Sequence, residues 1–386
     1  MKTIPFHSCI LLLTSLFAFS ANVRASTAPA SIVGKKFVLS RPDGSQTYVL
    51  TRIFTDESNF WDFENQNGDW EQGSYQWSAI NANGTLQEGP YGSQESYLKI
   101  SFTFSSTESG TFFLSLHQPT SSGIMEISYS TSGTFTMSDY STSDLPPFNT
   151  YFSDDFNSAT TSRNYWYDNL ETTWNSLQFS VGDGEFELIG AGTDPDEFWF
   201  RANAKSLLSV DKDWTIQSDA YDKPASNPYA FDYQESHAKV GFDLADSRLN
   251  FQFFIGPTFW GTHVHLYFGD SFGVSQSLNS SGRESYKNEG TYRIRNDSAT
   301  KTFYAEEIRL GSWDTIMSVN WETGAVSGAT NSSSGNYSQL SNWESMASKY
   351  VQPGLDFEIS TERSGTLETL SANQLGFNNF SVTSDE

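Results

Sequence analysis

The sequence predicts an all-β protein with a small antiparallel β-barrel or sandwich first and a second β region after it. Three observations support this fold class. Phe, Tyr and Trp make up 16% of the 386 residues, and bulky aromatic side chains suit the half-buried surface of a sheet. Short segments in which polar and apolar residues alternate are separated by Gly, Asn, Ser or Pro, as strands are by turns. The period of an amphipathic helix is nearly absent.

The first 25 residues differ in character from the rest. Lys2 gives a positive start, Ile10 to Phe19 are mainly apolar, and small residues follow up to Ala25. Because the apolar run is too short to span a bilayer, residues 1–25 are predicted to be a secretory signal peptide. Cys9 is the only cysteine and precedes that run, so we expect neither a lipid anchor nor a disulfide in the mature chain. The expected location is extracellular, or periplasmic or cell-surface in a Gram-negative bacterium.

The chain is strongly acidic. It has 22 Lys and Arg against 46 Asp and Glu, a formal net charge of −24. Such a surface repels nucleic acid and anionic membranes, so neither nucleic-acid binding nor membrane insertion is expected. Screening by salt keeps a protein of this kind soluble, which fits secretion by a marine or halotolerant bacterium, with secretion by a eukaryote as the alternative. The same field disfavours anionic ligands unless a local basic cluster offsets it.

Residues 32–138 form the predicted small β domain, and residues 139–149, with Pro146-Pro147, the predicted linker. The predicted strands are Lys36–Leu39, Thr47–Phe54, Asn59–Glu64, Gly73–Ile80, Tyr97–Phe104, Thr111–Leu116, Ile124–Tyr129 and Gly133–Met137. Trp61, Trp70 and Trp77 are candidates for the mouth of a barrel that holds a sugar or an apolar ligand. The alternative, ordinary core filling, is favoured by the dense aromatic pattern around them. The strings SIVGKKF, GSYQW and SGTFTM resemble lipocalin-like β-modules of secreted bacterial proteins.

Residues 150–386 form the second predicted domain. An opening Asp154-Asp155-Phe156, a later Trp, a Gly-Asp-Gly turn at 182–184 and the closing NQLGFNNFSV occur in an order that resembles the concanavalin A-like lectin/glucanase superfamily. The resemblance implies a two-sheet jelly roll whose last strand returns beside the first. It says little about activity, because this architecture hosts lectins, hydrolases, lyases and inert spacers.

The resemblance also implies that a concave sheet carries the site. Alternation along the strands places a set of polar and aromatic residues away from the core. The predicted ligand-binding set is Trp199, Arg201, Gln252, His263, His265, Tyr267 and Arg293. Along the same segment, the alternating apolar residues Val264, Leu266 and Phe268 should face the core. Aromatic rings, guanidinium groups and imidazoles on one surface suit neutral or acidic sugars. The alternative is that these are solvated residues scattered over a polar sheet.

The sequence contains two candidate metal sites. His263 and His265 could hold a metal ion together, but no third ligand is evident. The resemblance implies a structural calcium site between the first and last strands, at Asp154, Asp155 and Asn378 or Asn379. An ordinary turn at Asp154-Asp155 is the favoured alternative, and no other cofactor is expected.

No catalytic signature is evident in the sequence. A non-catalytic role is therefore favoured, and enzymatic activity stays open as the alternative. The paired carboxylates of a retaining glycosidase are not found: Pro195 interrupts the acidic run at 194–197, and Glu306 and Glu307 should face opposite ways. The leading hypothesis is therefore a secreted carbohydrate-binding or adhesion protein that binds a polysaccharide or glycan. The first alternative is a lyase acting on an acidic, uronate polysaccharide, with Arg201, Gln252, His263 or His265 and Tyr267 as candidates. The second is a ligand-free surface spacer, which gains support if the strands of Arg201 and Arg293 lie on opposite sheets. The sequence names neither the glycan nor the oligomeric state.

Overall fold

The structure is a computed structural model that describes most of the chain in separate ranges. These are residues 27–43, 46–64, 68–91, 96–120, 125–167, 170, 172–174, 177–189, 198–222, 235–244, 249–255, 263–269, 275–280, 289–331, 335–340, 349–360, 373 and 375–385. The predicted signal peptide at 1–25 lies outside these ranges and stays a prediction. The described residues are mainly β-strands, as expected from the composition.

The first eight strands close into an antiparallel barrel, with each strand beside its sequence neighbour and β8 beside β1. The strands are β1 (Lys35–Asp43), β2 (Gln46–Phe54), β3 (Asn59–Glu64), β4 (Asp69–Ile80), β5 (Asn83–Tyr91), β6 (Ser96–Phe104), β7 (Ser109–Pro119) and β8 (Met125–Asp139). Aromatic rings fill the interior: Phe37 contacts Phe54, Phe102 and Phe135 at centroid distances of 5.2 to 5.6 Å.

Two strands of the barrel differ from the sequence prediction, and glycine explains both. The two segments predicted on either side of Gly133 form one continuous strand, β8. Gly133 is needed for close packing there and not for a turn, because a Cβ would come within 2.0 Å of the Ser40 carbonyl oxygen. The strand β5 was not predicted, since it contains two glycines and a proline. One of these, Gly84, lies directly against the Trp77 ring, where a Cβ would be 2.1 Å from the nearest ring carbon.

The predicted linker is ordered and packed. After β8 it forms a single 3₁₀ turn at Thr142–Asp144, and Leu207 then donates a backbone hydrogen bond to the Pro147 carbonyl at 2.9 Å. A four-residue helix, α1 (Ala159–Ser162), follows. Among the described residues, no helix is long and apolar enough to cross a membrane.

The remaining described strands form two antiparallel sheets, named here the back sheet and the front sheet. The back sheet contains β9 (Phe152–Asp154), β10 (Thr172–Trp174), β11 (Leu177–Gly182), β12 (Glu185–Leu188), β15 (Trp214–Asp222), β20 (Glu289–Asp297), β21 (Thr302–Arg309), β22 (Ser312–Asn320) and β26 (Leu375–Ser384). The front sheet contains β13 (Phe198–Asn203), β14 (Leu208–Ser209), β16 (Glu235–Leu244), β17 (Leu249–Ile255), β18 (His263–Gly269), β19 (Ser275–Ser280), β23 (Ala325–Asn331), β24 (Gly335–Gln339) and β25 (Tyr350–Ser360). The strand β23 pairs with both β22 and β19, and so joins the two sheets.

The two sheets pack face to face around one apolar core. Aromatic rings from opposite sheets meet there, for example Phe179 with Phe357 at 4.5 Å and Phe253 with Tyr292 at 5.1 Å between centroids. The last strand returns beside the first, because β26 pairs with β9 through Phe380 and Asp154. The predicted fold class, a barrel followed by a two-sheet jelly-roll sandwich, is confirmed.

An aromatic interface joins the barrel to the sandwich. Trp61 and Trp70 point out of the barrel and pack in one cluster with Leu207, Phe148 and Tyr350. The Trp70 indole also donates a hydrogen bond to the Tyr167 hydroxyl at 2.5 Å. Only Trp77 of the three predicted tryptophans packs on the barrel core. Trp61 and Trp70 therefore neither line a barrel mouth nor fill the barrel interior.

Candidate functional site

The candidate site is the outer face of the front sheet, which points away from the sandwich core; we call it the front face. Strand alternation creates it, since Ala202, Leu355 and Phe253 are buried in the core and their neighbours point the other way. The register aligns Arg201 with Asp356, Gln252 with His265, and Asn250 with Tyr267. Four predicted residues, Arg201, Gln252, His265 and Tyr267, thus occur on one face. The buried Val264 and Leu266 confirm this register, whereas the Phe268 side chain lies outside the described residues.

Arg201 is the centre of a polar network on this face. Its Nε and Nη2 donate to the two oxygens of Asp356 at 2.7 and 2.9 Å, and its Nη1 pairs with Asp243. Gln252 adds a further hydrogen bond to Asp356 Oδ2 at 2.7 Å. Asp356 is 0% exposed, so a buried carboxylate is compensated here by a two-pronged arginine and an amide. All three guanidinium nitrogens are engaged by protein carboxylates.

Two glycines provide space for this network. Gly354 and Gly241 are directly paired across β25 and β16, and Gly241 is also paired with Gln252. A Cβ on Gly241 would lie 2.6 Å from Cγ of Gln252, and one on Gly354 would lie 3.8 Å from Nε of Arg201. The side chains of Arg201 and Gln252 therefore lie against glycine backbone, which gives the site a low, polar floor.

Partly exposed rings border that floor. His265 lies edge-on to Phe254, with ring centroids 5.0 Å apart, and Tyr267 is 39% exposed. Asn250 and Asp243 are hydrogen-bonded to each other on the same side. The surface thus combines an accessible phenol and an imidazole with hydrogen-bond acceptors. Among the side chains of this face that the structure describes, the carboxylates of Asp243 and Asp356 outnumber the guanidinium group of Arg201.

The structure does not bring all seven predicted residues together. Trp199 and His263 belong to β13 and β18, paired with Glu358 and Phe254, but their side chains lie outside the described residues. Arg293 is placed elsewhere: it lies in β20 of the back sheet, paired with Gln217 and Glu306. The prediction that Arg201 and Arg293 share a face is corrected, because alternation fixes a residue's face within its own strand but not the sheet to which the strand belongs.

Arg293 has partners of its own on the back sheet. Its guanidinium lies over the Trp313 ring at 3.9 Å from the centroid and donates to Glu306 Oε2 at 2.6 Å. Glu306 also accepts a hydrogen bond from Thr315, and Glu307 pairs with Arg309. These two acids are held in ion pairs; the other acidic run, at 194–197, lies outside the described residues.

The residues proposed for calcium are arranged around a hydrogen-bonded turn. Asp154 Oδ1 accepts from the Phe156 backbone NH at 2.9 Å and from Ser162 at 3.0 Å, and Oδ2 accepts from the Trp166 indole at 2.9 Å. Asp155 bonds Asn157 instead, and Asn378 is partly exposed in β26. Within the described part of the chain, no group of three His, Cys, Asp or Glu side chains could hold a metal ion. Protein donors account for both oxygens of Asp154.

Comparison with known proteins gives similarity to solved structures alone. No protein-family model and no curated relative matches the sequence. The Bacteroides ovatus protein named Xyloglucan PUL GH43B is 10% identical, with a TM-score of 0.32 and coverage of 93% of this chain and 84% of that chain. Lectin I-B4 from Griffonia simplicifolia, in its metal-free form, is 10% identical, with a TM-score of 0.36 and coverage of 62% and 100%. A family 7 alginate lyase, A1-II′, is 9% identical, with a TM-score of 0.29 and coverage of 55% and 85%.

These matches show what the chain is similar to, and the superfamily that the sequence resembles stays a resemblance. With TM-scores of 0.29 to 0.36, they carry no argument about family membership or activity. The fold class rests instead on the strand pairing of this chain.

Sequence reasoning missed three members of the front-face network: Asp356, Asp243 and Asn250. Asp356 is separated from Arg201 by 155 positions, so only the register of β13 on β25 brings them together. A local signal existed, because Asp356 stands between the apolar Leu355 and Phe357 and must point away from the core if those two point into it.

Proposed function

We propose that this chain is a secreted, non-catalytic carbohydrate-binding protein and that the front face binds a neutral glycan. The observation that carries the proposal is the engagement of Arg201. Its three nitrogens are paired with Asp356 and Asp243, so its charge is already compensated within the protein. A site with this charge balance suits an uncharged ligand better than an anionic one.

The groups around Arg201 suit a sugar. A pyranose ring has an apolar face that can stack on an aromatic side chain, and Tyr267 and His265 offer such rings beside the polar floor. Sugar hydroxyls both donate and accept, which matches the acceptors on Asp243 and Asn250 and the imidazole of His265. A small number of polar groups beside aromatic side chains is typical of sites that bind small ligands.

The rival proposal is a lyase acting on a uronate polysaccharide. His265 or Tyr267 would remove the proton, while Arg201 and Gln252 would neutralise the substrate carboxylate. This role requires guanidinium nitrogens that face the substrate. Because Arg201 and Gln252 both bind Asp356, their hydrogen bonds are directed into the protein, which favours binding without catalysis.

A ligand-free spacer is the third proposal. The location of Arg201 and Arg293 on opposite sheets, a condition set out from the sequence, favours it. Against it stands the gathering of Arg201, Gln252, His265 and Tyr267 on one face, together with an exposed phenol beside a buried charge network. A spacer has no need for buried charges on an outer sheet surface, since buried ion pairs contribute little net stability.

A binding experiment separates the three proposals. The full chain without residues 1–25 is tested on a glycan array and in pull-downs with insoluble cellulose, chitin and xylan, and with alginate as the acidic comparison. Tyr267→Ala should weaken binding by about tenfold or more, because stacking on one ring contributes roughly 1.5–3 kcal/mol. Tyr151→Ala is the matched control, since Tyr151 is a comparably exposed tyrosine outside the front face.

Each outcome decides between the proposals. Folded wild-type protein that binds no glycan supports the spacer and overturns the proposed function. Absorbance of an unsaturated product during incubation with alginate would establish the lyase instead. Binding to a neutral glycan that Tyr267→Ala weakens and Tyr151→Ala does not is the expected result.

A further inference from the structure

A second surface with the features of a ligand site lies on the outside of the barrel. A groove of about 720 Å³ is formed there by residues of β1, β2, β6, β7 and β8, a volume within the range usual for ligand sites. Phe113 lies in it and is 45% exposed. The preceding residue, Phe112, points into the barrel core, so strand alternation directs Phe113 outward.

Hydroxyl groups surround this ring in regular rows. Ser101 and Ser132 are the direct cross-strand neighbours of Phe113 on β6 and β8. The adjoining row consists of Thr103, Thr111, Thr134 and Ser40, paired side by side across β6, β7, β8 and β1. Neighbouring strands are about 4.8 Å apart. The Phe113 ring is therefore surrounded by Ser and Thr side chains, each of which can both donate and accept a hydrogen bond.

The charges along this groove bear on the ligand that it can hold. The chain has 46 acidic residues, yet the described residues lining the groove include no Asp or Glu. The lining cation is Arg41, which donates to the Tyr129 hydroxyl at 2.9 Å and lies over the Tyr48 ring. A cation would therefore meet no acidic side chain on the described lining. An anion would meet Arg41, which already contacts Tyr129 and Tyr48, within the field of a strongly acidic protein.

The barrel is closed, so its strands present no unpaired edge to a ligand at this groove. Recognition by strand addition needs unpaired backbone groups, so an extended peptide would find side-chain hydroxyls alone. A neutral polysaccharide fits better: one sugar stacks on the Phe113 ring, and hydroxyls of the neighbouring sugars exchange hydrogen bonds with the Ser and Thr rows.

We propose that this barrel groove is a second carbohydrate site, which binds a chain of neutral polysaccharide through Phe113 and the Ser/Thr rows beside it. It is separate from the front face and does not depend on it. With both sites on one chain, attachment to an insoluble polysaccharide would be bivalent, so binding at one site raises the effective concentration at the other.

The test is made in the Tyr267→Ala background, so that binding at the front face does not mask the groove. Retention on insoluble cellulose, chitin and xylan is compared for Tyr267→Ala alone and with Phe113→Ala added. The control adds Ile127→Ala instead, since Ile127 is also exposed, on the same hairpin, but does not line the groove. Phe113→Ala should lower the affinity about tenfold through loss of ring burial. Ile127→Ala should leave it unchanged.

A second variant removes hydroxyls and keeps the shape. Thr111→Val with Thr134→Val should weaken binding to the same polysaccharide, while circular dichroism checks that the barrel is folded. The proposal is overturned if the Tyr267→Ala protein is not retained on any of the three polysaccharides. It is overturned equally if Phe113→Ala and Ile127→Ala are retained to the same extent, or if alginate alone is bound.

Discussion

Gln352 accepts a hydrogen bond from the backbone NH of Trp70 at 3.1 Å, although the two residues are 282 positions apart. The same amide donates from Nε2 to the carbonyls of Gly68 at 3.0 Å and Ala204 at 2.9 Å. One buried side chain therefore satisfies two backbone groups of the barrel and one of the sandwich. With the aromatic cluster around Trp61 and Trp70, it links the barrel to the sandwich, so we expect the two parts to unfold together.

Replacing Gln352 should destabilise the whole molecule. Gln352→Ala leaves the Trp70 NH and two carbonyls without their partner, and a buried unsatisfied group costs about 1–3 kcal/mol. We expect the free energy of unfolding in urea to fall by about 2–4 kcal/mol. Gln76→Ala, at an exposed glutamine of β4, is the control and should change it little. Wild-type protein with two well-separated unfolding transitions would contradict the cooperative interface.

The Arg201 network should be sensitive to loss of a single charge. In Asp356→Asn, a carboxylate that is 0% exposed becomes a neutral amide, which no longer compensates the charge of Arg201 and whose NH₂ group faces at least one of the donors on Arg201 and Gln252. Breaking a buried ion pair at one partner costs roughly 3–5 kcal/mol, and urea unfolding measures it. Asp297→Asn removes the more accessible partner of Arg295, 3.7 Å away, and should cost less than about 1 kcal/mol. Equal costs for the two variants would argue against a buried network.

The turn at Asp154 should hold without a metal ion. Asp154→Asn places an NH₂ group against the donors Trp166 Nε1 or Ser162 Oγ, so we expect a loss of about 1–3 kcal/mol. Adding a calcium chelator to the wild-type protein should leave the melting temperature unchanged, because both oxygens of Asp154 accept protein hydrogen bonds. A fall in melting temperature on chelation that calcium reverses would establish the calcium site that the sequence resemblance implied. Asp155→Asn, at an exposed carboxylate, is the matched control.

Acid should weaken the attachment of the 3₁₀ turn to the barrel. The Lys36 ammonium, 2.6 Å from Asp144, and then the Ser141 backbone NH hold the pKa of Asp144 below its usual value. A carboxyl whose pKa is lower in the folded state stabilises above its unfolded pKa, and this stabilisation is lost as pH falls through the folded pKa. Lys36→Met should therefore cost about 0.2–1 kcal/mol at neutral pH, and the difference from wild type should shrink below about pH 4. Lys35→Met, which removes a lysine paired with the exposed Asp139, controls for loss of a surface lysine. A difference that persists at low pH would contradict this assignment.

The alternation of polar and apolar residues predicted the fold class and most strands, because this pattern depends only on residues that are neighbours in the sequence. The strand Asn59–Glu64 was predicted with its observed bounds. Glycine was the main source of error: at Gly133 it marks close packing within β8, a role that only the approach of the Ser40 backbone shows. The candidate site was predicted in part for a related reason. Arg201, Gln252, His265 and Tyr267 were assigned to their faces correctly, whereas Asp356 as a partner and the sheet of Arg293 depend on pairing between distant strands.

The tryptophans of the barrel also have partners that a local sequence pattern could not predict. The spacing of Trp61 and Trp70 in β3 and β4 indicated an aromatic cluster, but both alternatives placed it inside the barrel. Their actual partners, Leu207 and Tyr350, lie far along the chain, and no local pattern indicates them.

The strand pairings at the ends of the two parts carry a last consequence. Lys35 is paired with Asp139, where the barrel starts and finishes, and Phe152 is paired with Val382, where the sandwich starts and finishes. The chain thus enters and leaves each part at a single place, which is the arrangement that tolerates gene fusion and circular permutation. A rearranged gene that encodes the sandwich before the barrel would preserve every strand pairing described here.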